Sequence, residues 1–278
     1  MKFNWFQSIL YGFLSGLSDI VPVSAQAHKV LLLKFLGVGN GGEMVDLFVH
    51  MGIFLALYFC NQAQLIRMSR ARRLSQIPKR KRKRPLDVRS MMDLSLLKTM
   101  LIPAVLGMIA YQYTEDFRTN LLVIALFLFV NGIILYIPQF LPTGNRDSRT
   151  LSRVEGLLMG LGGAVSVLPG ISCVGSAVSI ASVCGIERVF SLNMALLLNM
   201  FVMIGYIVYD ILAVIAGGIG VLSFVIVLRY IVIALCSFAG ALLGVRGLQR
   251  IASGHGFSAF GLYCFGLSLF TFILNLIA

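Results

Sequence analysis

The chain has 278 residues, of which 58% are apolar and only 12% charged, and its mean hydropathy is +0.91. Soluble domains contain about 45–50% apolar and about 25% charged residues, so this composition excludes a soluble globular protein. We therefore predict an all-α polytopic membrane protein. It forms a single integral membrane domain over residues 1–278, with about six transmembrane helices of about 20 residues each.

The first apolar segment, residues 5–36, is interrupted by a stretch from Pro22 to His28. Asp19 precedes this stretch and Lys29 follows it. Unpaired backbone groups are costly in hydrocarbon, so a broken helix at membrane depth must be covered by protein or line a wet cavity. Ionisable residues at such a position are candidates for a functional site. The segment predicts a re-entrant pair of helices that enters and leaves by one face.

Three predicted spans follow, at residues 44–61, 96–113 and 121–141. The connection between the first two, residues 62–95, is strongly basic and contains 11 of the chain's 23 Lys and Arg residues. The positive-inside rule places this connection in the cytoplasm. We expect it to contact anionic lipid headgroups. Nucleic-acid binding is not expected, because the basic run lies between two membrane spans.

A second broken segment covers residues 156–184 and is interrupted from Leu168 to Cys173. Three more predicted spans, at about 190–212, 222–245 and 256–277, follow it. Each half of the chain thus contains one re-entrant broken helix and three spans.

The two halves, residues 1–141 and 156–278, form a predicted inverted-topology repeat. A glycine stands six residues before the proline of each break, at Pro22 and Pro169. Three crossings are an odd number, so the second half must be inverted relative to the first, with the broken helices meeting near the midplane. The basic connections then all lie on the cytoplasmic side, and the first re-entrant segment opens to the outer face.

The two breaks carry motifs that occur together in one family. The first reads Ser-Gly-Leu-Ser-Asp-Ile-Val-Pro-Val-Ser-Ala-Gln-Ala-His over residues 15–28, and the second reads Pro-Gly-Ile-Ser-Cys-Val-Gly over residues 169–175. With these motifs, the chain resembles the undecaprenyl-diphosphate phosphatase family of the bacitracin-resistance type over essentially its whole length. The family's motifs read roughly Glu-Gly-x-x-Glu-x-x-Pro-Val-Ser-Ser-x-Gly-His and Pro-Gly-x-Ser-Arg-Ser-Gly.

The resemblance implies hydrolysis of the terminal phosphate of a polyprenyl diphosphate at the outer face of the bacterial inner membrane. This reaction regenerates the lipid carrier of cell-wall precursors. The resemblance also implies that Asp19, Ser24 and His28 are catalytic, as acid–base or nucleophilic groups, and that Asp19 holds a divalent cation, Mg²⁺ or Ca²⁺. The residues that it implies for substrate binding are Lys29, Gly170, Ser172 and Gly175. Ser24 and Ser172 are equally consistent with helix caps.

Four positions depart from the family pattern: Ser15, Ala25, Cys173 and Val174. Cys173 stands where the family has an arginine. An arginine that neutralises a transferred phosphoryl group is worth about 10³–10⁵ in rate, so hydrolysis needs another cation. Lys29 and Lys34 are the candidates, although lysine lacks the bidentate fork of arginine. Two interpretations of Cys173 stay open: a small residue that fills the space of the arginine, or a nucleophile.

Asp46 and His50 lie four residues apart in the first predicted span and therefore share a helix face. A structural pair and a contribution to the site are both open for them.

Two other functions are compatible with the sequence. The missing arginine favours a catalytically inactive protein that binds or translocates a polyprenyl phosphate, whereas Asp19 and His28 favour the enzyme. A small-solute transporter would keep the inverted repeat but leave the motif from Pro22 to His28 unexplained.

Overall fold

Ten α-helices occupy the part of the chain that the computed structural model describes, residues 3–39, 41–218, 223–254 and 257–277. The helices of the first half are α1 (Trp5–Ile20), α2 (Ala25–Phe35), α3 (Glu43–Ser75), α4 (Val88–Ala110) and α5 (Leu121–Tyr136). Those of the second half are α6 (Arg153–Val165), α7 (Cys173–Val183), α8 (Arg188–Gly217), α9 (Phe224–Gly254) and α10 (Ser258–Ile277). Short 3-10 turns follow α3, α4 and α5 at Lys79–Lys81, Tyr111–Phe117 and Ile137–Phe140.

Six of the described helical stretches are long and apolar enough to cross a membrane. They are Glu43–Ser75, Val88–Phe117, Leu121–Phe140, Arg188–Gly217, Phe224–Ala252 and Ser258–Ile277. Their outward faces are apolar, with large side chains such as Phe129, Leu212 and Leu269 exposed, as expected for a surface that contacts lipid. The prediction of an all-α, multi-pass membrane protein is confirmed.

The basic connection is shorter than predicted. α3 continues to Ser75 and α4 begins at Val88, so residues 76–87 connect the two helices instead of residues 62–95. The buried side chains of Met68 and Ala71 keep the end of α3 packed against the protein, which explains why the helix continues into the basic run. Asp87 caps α4, and its hydrogen bonds from Ser90 hold the pKa of this carboxyl below its ordinary value.

Both broken segments form pairs of helices too short to span a membrane separately. α1 and α2 contain 16 and 11 residues, and α6 and α7 contain 13 and 11, against about 20 for a span. Each second helix begins after a capping serine. The hydroxyl of Ser24 accepts from the amide of Ala27, and that of Ser172 accepts from the amide of Gly175.

Helix contacts in one half have counterparts in the other. α1 packs on α9, and α6, its counterpart in the second half, packs on α4. Likewise, α3 contacts α9, and their counterparts α8 and α4 contact each other. α5 also contacts its own counterpart α10, and α3 contacts its own counterpart α8. Such an exchange of partners is what a two-fold relation between the halves produces. The contacts therefore agree with the internal repeat in the sequence.

Glycines permit the closest approach of α1 to α9. A Cβ at Gly16 would lie 2.0 Å from the carbonyl oxygen of Ser237, and a Cβ at Gly240 would lie 2.2 Å from the carbonyl oxygen of Phe13. The two backbones can meet only because these residues have no side chain, as is common between membrane helices. This contact holds the first re-entrant pair, and hence the first break, against the second half.

Candidate functional site

The two breaks meet, and Ser24 joins them. Its hydroxyl accepts one hydrogen bond from the amide of Gly170 at 3.1 Å and another from the amide of Ala27 at 3.5 Å. Ser24 has a φ of +70°, and a non-glycine residue in that region stores about 1–3 kcal/mol of strain that its surroundings must offset. The hydroxyl predicted to be catalytic is therefore engaged as a cap and as a link between the breaks.

Asn131 on α5 ties both breaks to the scaffold. Its Oδ1 accepts from the amide of Ser172 at 3.0 Å, and its Nδ2 donates to the carbonyl of Pro22 at 3.2 Å. Asn131 is fully buried. One side chain thus satisfies a backbone group in each break, which buried irregular backbone requires.

A small polar cavity of about 40 Å³ lies where the breaks meet. Its wall includes Ala25 and Gln26, the first residues of α2, and Ser172 and Cys173 at the start of α7. The N-terminus of a helix carries a partial positive charge and amides without intrahelical acceptors. Two such termini converge on this cavity, which is the arrangement that proteins use to bind anions.

Lys29 supplies a full positive charge to the same cavity. Its ammonium lies 3.1 Å from Oδ1 of Asp46 and 2.9 Å from Nε2 of His50. Nδ1 of His50 in turn lies 2.6 Å from Oδ2 of Asp210 on α8. Tyr11 on α1 also donates to Asp46, at 3.4 Å. Asp46 and His50 do share a helix face, and both face Lys29.

Asp19 is the carboxylate of the cavity wall, and Asn199 on α8 holds it. Nδ2 of Asn199 donates to Oδ2 of Asp19 at 2.8 Å. Oδ1 of the same amide is buried and has no hydrogen-bond partner among the described residues. This wall of the cavity therefore offers two kinds of oxygen to a ligand: the carboxylate of Asp19 and the amide oxygen of Asn199.

These oxygens fit a divalent cation only in part. Within the described ranges, no three His, Cys, Asp or Glu side chains lie close enough together to hold a metal ion. Mg²⁺ often uses one or two carboxylates and completes its shell with water and substrate phosphates. Asp19 and Asn199 therefore fit a cation that is shared with a bound phosphate, and the side chains alone do not form a closed metal site.

His28 lies on the other face of α2. Its Nδ1 bonds to the carbonyl of Ser24 at 2.8 Å and its Nε2 to the hydroxyl of Tyr263 at 2.8 Å. It faces an apolar groove of about 660 Å³ between α1, α2 and α10, which is lined by residues such as Leu17, Leu31, Phe260 and Phe270. The expected grouping of His28 with Asp19 is not found, because α2 begins at Ala25 and so places His28 and Lys29 on different faces of a regular helix.

The remaining predicted positions divide between the cavity and the packing around it. Ala25, Ser172 and Cys173 line the cavity, whereas Val174 is buried in the core and Ser15 borders the apolar groove.

Gly170 and Gly175 are absent from the cavity wall. Gly170 has a φ of +120° and would clash with Phe127 if it carried a Cβ, and a Cβ at Gly175 would lie 2.8 Å from that of Pro22. Both glycines permit close packing at the junction of the breaks, so direct contact with a substrate is not supported.

Arg118 lies behind the cavity wall. Its guanidinium stacks on Tyr111, 3.7 Å from the ring centroid, and donates to the carbonyl of Tyr111 and to the hydroxyl of Tyr209. Tyr111 lines the cavity, but Arg118 does not. Within the part of the chain that the structure describes, Lys29 is accordingly the one Lys or Arg side chain that lines the cavity.

Sequence reasoning missed three polar residues of the site: Asn131, Asn199 and Asp210. Asn131 lies inside the predicted span 121–141, and Asn199 and Asp210 lie inside the predicted span 190–212. Polar residues within membrane helices usually face the protein interior and have partners there. That signal could have identified all three as site candidates, although it could not have identified their partners.

Comparison with known proteins gives one consistent result. A family model described as bacitracin resistance protein BacA matches residues 8–270, which include both breaks and the whole cavity wall. An undecaprenyl-diphosphatase of Methanobrevibacter smithii is 27% identical, with 96% of each chain aligned. Undecaprenyl-diphosphatases of Desulforapulum autotrophicum and Paracoccus denitrificans are 24% and 26% identical, with 98% and 94% of this chain and 99% and 93% of those proteins aligned.

Proposed function

The chain belongs to the BacA bacitracin resistance family, and on this premise we propose that it hydrolyses the terminal phosphate of a polyprenyl diphosphate. Similar proteins over nearly the full length are named undecaprenyl-diphosphatases, which supports an undecaprenyl or related diphosphate as the substrate. The products are a polyprenyl phosphate, which is the recycled lipid carrier of cell-wall synthesis, and inorganic phosphate.

One observation carries the proposal: the N-termini of α2 and α7 and the ammonium of Lys29 surround one cavity. Oriented amides and helix dipoles stabilise phosphate oxygens, and a lysine adds a charge-assisted hydrogen bond. Cys173 leaves the family's arginine position without a charge. Lys29 neutralises the phosphoryl group in place of that arginine. It does so from α2, whereas Cys173 lies on α7, on the opposite side of the junction.

Asp19 is the acid–base residue of this account. A water molecule attacks the terminal phosphorus, so that a new P–O bond forms as the bridging P–O bond breaks. Asp19 accepts the proton of the water, and the leaving phosphate oxygen is neutralised by Lys29 and the helix termini. Asn199 orients the carboxylate through its 2.8 Å hydrogen bond.

A divalent cation, Mg²⁺ or Ca²⁺, would be held by Asp19 and Oδ1 of Asn199 together with the diphosphate. When bound, it supplies further positive charge against the phosphate oxygens. The orientation of the carboxylate by Asn199 is independent of this cation.

The site belongs to the outer half of a cytoplasmic membrane protein in this proposal, the bacterial inner membrane being the expected location. Asp46 lies in the first turn of α3, and the opposite end of the same helix leads into the basic connection. The positive-inside rule assigns the basic end to the cytoplasm. All the basic residues of this run except the half-buried Arg82 are exposed, which suits contact with anionic headgroups.

The test is phosphate release by purified protein from farnesyl or undecaprenyl diphosphate in detergent, with Mg²⁺ or Ca²⁺. Wild-type protein should release phosphate, and Asp19→Asn should lower the rate about 10²–10³-fold, as expected for a single group that stabilises the transition state. Asp116→Asn is the matched control, because Asp116 is exposed in the 3-10 turn after α4, and it should leave the rate unchanged.

Absence of release from wild-type protein that still binds polyprenyl phosphate would replace the enzyme with an inactive binding or translocating protein. Release that survives Asp19→Asn would remove Asp19 from the mechanism.

A further inference from the structure

His50 connects the ammonium of Lys29 to a carboxylate on α8. Its Nε2 lies 2.9 Å from Nζ of Lys29, and its Nδ1 lies 2.6 Å from Oδ2 of Asp210. Lys29 is 5% exposed, His50 6% and Asp210 3%. They come from α2, α3 and α8, so this chain of contacts bridges both halves of the protein.

The donors and acceptors fix the tautomer of His50. An ammonium group has only N–H donors, so Nε2 must accept from Lys29. Nδ1 then carries the ring proton and donates it to the carboxylate of Asp210. The hydrogen bond at one ring nitrogen sets the state of the other. Asp210 therefore keeps the imidazole ready to accept from Lys29.

This arrangement restrains a flexible side chain. Lysine is a point charge on a four-carbon stem, which must be ordered before it can serve a defined site. Among the described residues, Asp46 and His50 take two of the three N–H donors of Lys29. The third donor is left for an oxygen atom of a ligand in the polar cavity that Lys29 lines.

We propose that His50, held by Asp210, is a positioning residue that aims Lys29 at the phosphate group of a bound polyprenyl lipid. The inference rests on the proposed role of Lys29 as the cation that binds phosphate in this site. It assigns to His50 and Asp210 a function in ligand recognition in place of a purely structural pair. Neither residue needs to touch the ligand.

The test is the affinity for farnesyl phosphate, a monophosphate that requires no hydrolysis. Glutamine at position 50 can accept from Lys29 and donate to Asp210 through one amide, whereas leucine can only fill the space. His50→Leu should weaken binding at least about tenfold, because a hydrogen bond to a charged group is lost. His50→Gln should recover most of that affinity. A role in packing alone would not separate the two variants.

The same pair of variants is then compared in a Lys29→Met background. If His50 acts through Lys29, Leu and Gln at position 50 become equivalent there, because coupled residues give non-additive effects. A Leu–Gln difference that persists without Lys29, or no difference in the presence of Lys29, would overturn the proposal. The affinity for inorganic phosphate is measured with the same variants. A difference between Leu and Gln at position 50 that appears with inorganic phosphate and not with farnesyl phosphate would overturn the assignment to a lipid phosphate.

The tautomer of His50 gives a measurement on the unaltered protein. In ¹⁵N-histidine-labelled protein, with His28→Gln and His255→Gln used for assignment, Nδ1 of His50 should be protonated and Nε2 unprotonated. An Nε2–H tautomer or an imidazolium would contradict the inference even if the Leu variant failed to fold. Neither the tautomer nor farnesyl phosphate binding depends on phosphate release, so the proposed hydrolysis and the positioning role can fail separately.

Discussion

His28 and Lys29 are neighbours in sequence but face different cavities across α2. Nε2 of His28 lies 2.8 Å from the hydroxyl of Tyr263 in the apolar groove, whereas Nζ of Lys29 lies 2.9 Å from Nε2 of His50 beside the polar cavity. Successive residues of a helix point in directions about 100° apart, so α2 acts as the wall between these spaces. The residue that follows the motif histidine thus becomes the better candidate for contact with phosphate.

Lys29→Met should lower phosphate release about 10²–10³-fold, the loss typical of one donor to a transition-state charge. It should also weaken the binding of polyprenyl phosphate. Lys34→Met is the matched control, because Lys34 lies on the same helix and is exposed. Loss of a buried ion-pair partner costs stability as well, so thermal unfolding in detergent is measured beside the kinetics. Equal rates for the two variants would exclude Lys29 as the phosphate cation.

His28→Gln should reduce phosphate release far less than Asp19→Asn. The imidazole faces the apolar groove and bonds to Ser24 and Tyr263, and loss of one such hydrogen bond costs about 0.5–1.5 kcal/mol of stability. Kinetics of the two variants under identical conditions make the comparison. Loss of all release in His28→Gln, with lipid binding intact, would restore the catalytic role implied by the motif and move the reaction to the groove side of α2.

Cys173→Ala should leave phosphate release unchanged. The thiol is buried, whereas a reactive cysteine needs an accessible position beside positive charge. If Cys173 were the nucleophile, this substitution would remove nearly all phosphate release. Release that disappears in Cys173→Ala would show that the sulfur takes part in the reaction.

Gly16→Ala should destabilise the protein by about 1–3 kcal/mol, the usual range for overpacking. The new Cβ would lie 2.0 Å from the carbonyl oxygen of Ser237 and force α1 away from α9. Gly247→Ala on α9 is the control, since among the described residues no atom beyond its own turn of α9 lies within 4 Å of the added methyl group, and it should stabilise its helix by about 0.5–1 kcal/mol. Thermal unfolding midpoints in detergent should shift in opposite directions. A shift of the same sign in both variants would argue against the close packing of these helices.

Much of the fold follows from local signals. Proline and glycine interrupt two apolar segments, and the six remaining apolar runs each became one of the long helices. The predicted connection, residues 62–95, was too long, because buried Met68 and Ala71 extend α3 to Ser75, into a run that charge alone marked as a connection.

The site was less accessible to sequence reasoning. The first break ends at Ser24 rather than at His28, and this difference of one helical turn decides which of His28 and Lys29 faces the polar cavity. The partners of Asp19 and His50, Asn199 and Asp210, lie 180 and 160 residues away. Contacts over such separations depend on how the halves pack, which no local pattern specifies.

The most direct measurement is a crystal structure in a lipid phase with a non-hydrolysable polyprenyl methylene-bisphosphonate. The account predicts a phosphonate oxygen about 3 Å from Nζ of Lys29, in the cavity between the N-termini of α2 and α7. A headgroup bound beside His28 and Tyr263 in the apolar groove, with Lys29 still held by Asp46 and His50, would contradict it.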